Sequence, residues 1–201
     1  MHIAQRFLAF GFAICLSHAY SATCDLNTFG QAKATTTCFW DDCRRTSSPD
    51  EVKLIKRGIY VEFVGLSIND GIASWIGVDL DRGELFQVNR FAGQHLKRAP
   101  TITTTENHFV RETKTERFHW IDVVRKRILP ADALGEIVCL ANELWVSKPS
   151  QTSFISDVFN ELRLVDGVTN RGIGGMRSLP QEAQAFETKI RSYRDIDWKD
   201  Y

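Results

Sequence analysis

Apolar positions fall into three regimes along the chain. The first is an unbroken apolar run from Phe7 to Leu16, preceded by a single basic residue, Arg6, with no acidic residue before Asp25. The second runs from Gly58 to Phe118 and has the period of strands. Ile59 to Ser67 is rich in β-branched and aromatic residues, Asn69-Asp70-Gly71 signals a hairpin turn, and Ile72 to Leu80 alternates apolar with small or polar positions. A turn at Asp81-Arg82-Gly83 leads into Glu84 to Arg90, giving a three-stranded antiparallel meander. Thr101 to Thr105 extends the pattern, and Asn107 to Phe118 predicts a long exposed strand with His108, Val110, Glu112 and Lys114 on one side.

After Trp120 the period lengthens to that of a helix. Ile121, Val124 and Ile128 share a helical face while Arg125, Lys126 and Arg127 point away, and Pro130 ends this helix or begins the next. Over residues 131 to 146, Leu134, Ile137, Val138, Ala141 and Trp145 form one apolar stripe, with Cys139 off it beside Glu136 and Glu143. A third helix is predicted from residue 152 or 153 to Leu164. Gly172-Ile173-Gly174-Gly175 reads as a flexible connection. A last helix is expected from Pro180 to about Tyr193, with Ser178 and Gln181 as a capping box. Strands first and helices after predict an α+β domain: an antiparallel β-meander over about 58–118, then three or four helices over about 120–194 packed on one face. Residues 23–57 are polar and weakly periodic, and predict an irregular N-terminal extension.

The first apolar run changes the setting of everything after it. About ten residues are too few to cross a bilayer, which takes roughly 20 as a helix, and the run has the charge and spacing of a secretory signal over residues 1–22. Residues 23–201 then form one domain that is periplasmic or secreted. Loss of Arg6 from 25 basic residues leaves 24 against 25 acidic ones. A near-neutral chain gives no support to nucleic acid as a partner, and no span in the mature chain is expected. Cys15 leaves with the signal, so Cys24, Cys38, Cys43 and Cys139 remain, an even number that predicts two disulfides in an oxidising compartment. Three pairings are open. The position of Cys139 off the apolar stripe favours a bond to the N-terminal segment over a role as nucleophile.

Candidate chemistry is sparse. His108 and Glu112 share a strand face, so they or His119 could serve as base and orienter, but no zinc-ligand spacing accompanies them. Asp79 to Glu84 resembles a calcium loop only in part and reads as a hairpin turn. Arg171 and Arg177 flank the glycine run, where backbone N–H groups could receive an anion. Trp40 and Trp198 lie outside the predicted core and could meet a partner. No cofactor is implied. The expected function is a non-catalytic exported binding or inhibitor-type module whose partner is another envelope or secreted protein. The rival is a cell-envelope hydrolase using His108 or His119. N-terminal sequencing of the exported protein is expected to begin between Tyr20 and Thr23, and a chain still starting at Met1 would remove the compartment argument.

Overall fold

A computed structural model of the chain describes residues 24, 25, 29, 48–65, 72–147, 158–167, 169–176 and 178–198. The expected α+β order does not occur. Among the described residues the chain forms instead a seven-stranded, entirely antiparallel sheet with few helices, a strand-dominated fold. In chain order the strands are β1 (Arg57–Gly65), β2 (Ile72–Asp79), β3 (Glu84–Ala92), β4 (His108–Lys114), β5 (His119–Ile128), β6 (Val158–Asp166) and β7 (Thr169–Met176). In space they run β4-β5-β3-β2-β1-β6-β7. The helices are α1 (Asp50–Lys53), α2 (Ala131–Val146) and α3 (Gln181–Ser192), with a 3-10 turn at Gly93–Arg98.

The expected meander is present as β1 to β3, the centre of the sheet. Its Asn69-Asp70-Gly71 turn lies outside the described residues. The second turn is described: Gly83 has φ +62, and Asp79 Oδ1 accepts the backbone N–H groups of Asp81 and Arg82. Arg57 closes on Asp81 at 2.6 Å, so these carboxylates hold a hairpin together. Thr101 to Thr105 forms no strand, and the strand expected over 107 to 118 is confined to β4.

Three segments differ from expectation for one physical reason, the burial of both sheet faces. Residues 119–128 are β5, not a helix. Val123 and Val124 are adjacent, project to opposite faces and are both fully buried, which erases the alternation that marks a one-sided strand. The helix expected up to Leu164 is β6, where Leu162 and Leu164 pack under the helices while Glu161 and Arg163 are buried on the other face. The glycine run is β7 rather than a connection. A Cβ at Gly172 would collide with the Glu161 carboxylate, and one at Gly174 would lie 3.0 Å from Glu161 Cγ. The glycines leave room for a neighbouring strand's buried acid.

Two helices match their predicted positions and both cover the same sheet face. Ile137, Val138, Ala141, Leu144 and Trp145 of α2, and Ala183, Phe186 and Ile190 of α3, pack on Ile59, Val61, Ile76, Val78, Leu162 and Leu164. Each such aliphatic side chain withdrawn from water contributes about 1.5–3 kcal/mol. The α3 N-cap is Pro180 with no side-chain cap bond, in place of the expected capping box. Glu136 links the two helices, pairing with Lys189 Nζ at 2.7 Å and accepting from the Tyr193 hydroxyl at 2.6 Å. On the opposite face Val52 and Ile55, from α1 and the residues after it, pack with Tyr60, Val64, Trp75, Phe86, Val88 and Val124.

Cys139, on the partly exposed side of α2, is bonded to Cys24, with the two Cα atoms 5.0 Å apart across 115 positions of sequence. Phe29 meets the Trp145 ring edge-on at 5.4 Å. The N-terminal region is thus fastened to α2 by a covalent bond and an aromatic contact. Cys38 and Cys43 lie outside the described residues, as do the signal segment 1–22 and all but a few of residues 23–47.

Replacing Cys139 with serine is expected to lower stability by about 2–5 kcal/mol in urea titrations, and non-reducing peptide mapping should recover a Cys24–Cys139 linked pair. Gly172→Val should cost about 1–3 kcal/mol by overpacking against Glu161, measured in the same way.

Candidate functional site

The face carrying α1 holds charged residues in positions where water cannot reach them. Arg90 on β3 and Asp122 on β5 are register partners, 2% and 1% exposed. Arg90 Nε donates to Asp122 Oδ1 at 2.6 Å and Nη2 to Oδ2 at 2.8 Å, a two-pronged bond. Its guanidinium also lies 4.4 Å from the Trp120 ring centroid and 5.0 Å from that of Trp75. Cation–π contacts of this desolvated kind are worth up to about 2 kcal/mol. Asp122 is shared, because Arg111 Nη2 on β4 approaches Oδ2 at 3.5 Å while grasping Glu51 of α1 at 2.7 Å. One line of alternating charge therefore runs from α1 through β4 and β5 to β3.

A second buried group sits across the sheet. Glu62 on β1 and Glu161 on β6 are register partners, an arrangement of like charges that is unfavourable alone. Arg163 stands between them, 2.5 Å from Glu161 Oε2 and 3.5 Å from Glu62 Oε2. These groups are 2% exposed or less. Their role is to neutralise one another and to pin β6 to β1.

The first network ends at the surface, at the β4–β5 hairpin. The Thr115 hydroxyl accepts the backbone N–H groups of Arg117 and Phe118 at 3.3 and 2.9 Å, shaping the turn. Phe118 is left 43% exposed, its ring 5.8 Å from Trp120. Trp120 in turn lies on Arg90. On the opposite side of the hairpin His119 Nε2 meets Glu112 Oε1 at 2.7 Å, both residues exposed. The hairpin end thus presents an aromatic side chain braced from below, with charged residues in the turn and on the reverse face, and aromatic residues are enriched in protein-binding surfaces.

The residues singled out in the sequence scatter. Glu112 pairs with His119 across the turn and not with His108. His108 is opposite Arg125 while His119 is opposite Lys114, six residues along β4 and so about 20 Å away. The His108 pKa is lowered by burial and by Arg125, with Asp197 opposing. Cys139 is committed to its disulfide. Arg171 donates to the carbonyl oxygens of Trp145 and Ser147, so it caps the end of α2. Trp198, expected to be free, is 7% exposed and belongs to the helix-side core, because the chain after α3 folds back over that core. Trp40 and Arg177 lie outside the described residues.

In the sequence Phe118 reads as the end of an ordinary strand and Trp120 marks only the change of period, so neither stands out. An aromatic on each side of His119, directly after Thr115-Glu116-Arg117, was the signal available. Among the described residues, no group of three or more His, Cys, Asp or Glu could hold a metal, and no helix is long and apolar enough to cross a membrane. Comparison of the chain with protein-family models, curated proteins and solved structures finds no match.

Arg90→Met leaves Asp122 buried with Arg111 as its one described partner, and should cost about 3–5 kcal/mol. His119→Gln, which breaks a surface pair, should change stability by about 1 kcal/mol or less. Because the folded-state pKa of His108 lies below its unfolded value, its contribution is present above that value and is lost as pH falls. The difference in urea midpoint between the native chain and His108→Gln is therefore expected to move against the native chain between pH 7.5 and pH 5.

Proposed function

We propose that the protein is an exported, non-catalytic binding or inhibitor-type module that engages another envelope or secreted protein through the β4–β5 hairpin end. The observation that carries this reading is the exposed Phe118 ring resting on Trp120, itself held on the Arg90–Asp122 pair. An aromatic anchor already in contact with a neighbouring ring loses less freedom on binding. Glu116 and Arg117, next to it in the turn, supply charges of both signs for register and selectivity. The disulfide suits an oxidising compartment.

The cell-envelope hydrolase is the alternative, favoured by the 2.7 Å contact that would let Glu112 orient the His119 imidazole. The two readings separate in one experiment. The mature, oxidised protein is used to capture partners from envelope extract, with Phe118→Ala and His119→Ala in parallel, and all three are assayed on peptidoglycan. The expected result is a stoichiometric protein partner whose affinity falls about thirtyfold in Phe118→Ala, the loss of some 2 kcal/mol typical of a central anchor. Capture indifferent to Phe118, or peptidoglycan cleavage abolished in His119→Ala, overturns it.

A further inference from the structure

Among the described residues β4 is an outer strand of the sheet, with β5 as its one neighbour. In an antiparallel pair, successive residues turn their backbone N–H and C=O groups alternately towards the partner strand and away from it. The Asn107 carbonyl oxygen accepts from the Lys126 N–H at 2.8 Å, and the Thr115 N–H donates to the Phe118 carbonyl oxygen at 2.8 Å. Both bonds fit the register that pairs His108 with Arg125 and Lys114 with His119, so odd-numbered residues of β4 face β5 and even-numbered ones face outward. The outward groups of His108 are already met. Its carbonyl oxygen accepts from the Thr105 N–H at 2.7 Å, and its N–H donates to the Thr105 hydroxyl at 3.1 Å. Among the described residues, none bonds to the outward groups of Val110, Glu112 and Lys114.

These three residues each turn one N–H and one C=O outward in a single row, the template that an added strand matches group for group. Charged side chains commonly guard such an edge. Here two of them are drawn away from it, Arg111 to Asp122 and to Glu51 of α1, and Glu112 to His119 on β5. Thr113 is opposite Trp120 in the register, so a small side chain separates the edge from the aromatic pair of the hairpin end. On the reverse face Lys114 is exposed and carries a charge that an acid directly opposite would complement.

We propose that the protein partner of the hairpin end supplies an extended segment that adds antiparallel to β4, with a large apolar side chain facing Thr113 and an acidic one facing Lys114. The segment covers the span from Val110 to Lys114, roughly five residues, and its apolar side chain lies over Thr113 towards Trp120 and Phe118. Main-chain bonds then provide affinity, and the aromatic pair and Lys114 provide selection. The proposal rests on the hairpin reading, and its test separates the two.

The probe is a displayed library of random dodecapeptides, panned on the immobilised mature, oxidised chain, with the most enriched peptide then made synthetically. Its affinity is measured for the native chain, Val110→Pro and Phe118→Ala. Proline is accepted on an edge strand where the N–H faces solvent, so Val110→Pro removes an outward donor and leaves the β5 ladder in place. The dissociation constant is expected to rise about tenfold or more in both variants. In the native chain, the peptide should slow deuterium exchange at the Val110, Glu112 and Lys114 amides, a readout that holds even if Val110→Pro fails to fold. Binding that falls in Phe118→Ala while these three amides exchange at their free rate overturns strand addition and leaves the hairpin reading in place. Binding indifferent to Phe118 and to the edge overturns both, and a library from which no peptide is enriched overturns strand addition.

Discussion

Because both faces of the central strands are buried, the charged side chains enclosed there have to be neutralised by protein groups, and the arrangement of the molecule follows from how this is done. Burying an ion costs several kcal/mol, and that cost is recovered only with close geometry and full hydrogen bonding. Arg90 meets the condition three ways, through the Asp122 carboxylate and through the two tryptophan rings that enclose it. Asp122 then also faces Arg111, and Arg111 reaches Glu51, so that α1, only four residues long, is held by charge as well as by Val52 and Ile55. Loss of one member leaves the next unsatisfied.

The same network explains which parts of the fold could be read from the sequence. The meander was legible because β1 to β3 carry turn residues between strands of β-branched and aromatic side chains. The helices at 131–146 and 181–192 were legible because each covers only one face and so keeps a clean apolar stripe. In β5 and β6 the buried face carries Asp122, Glu161 and Arg163, which imitate the polar side of an amphipathic helix. In β7 the glycines that accommodate Glu161 imitate a loop. These are non-local facts: Glu161 accounts for Gly172, and nothing near Gly172 in sequence says so. The hairpin end was hidden for the same reason, since reading 120–128 as a helix removed the turn that brings His119 to Glu112.

At the hairpin end, rigidity is built inward from the surface, and the exposed ring is the outermost member of a stack whose base is a buried ion pair.

The pairing of β1 with β6 bears on how the chain reaches this state. β1 is central in the sheet, yet one of its two neighbours lies about a hundred residues later, beyond β5 and α2. Until residues 158–166 arrive, the segment Arg57-Gly-Ile-Tyr-Val-Glu-Phe-Val-Gly65 keeps one row of backbone N–H and C=O groups open, in a stretch with few charges. Such long-range closure slows folding and leaves time for the open row to pair with another chain. Glu62 stands in the middle of that row, so wrong pairing in register would bury an acid without Arg163. The buried carboxylate thereby also acts as a guard against association during the interval when β1 is half-paired.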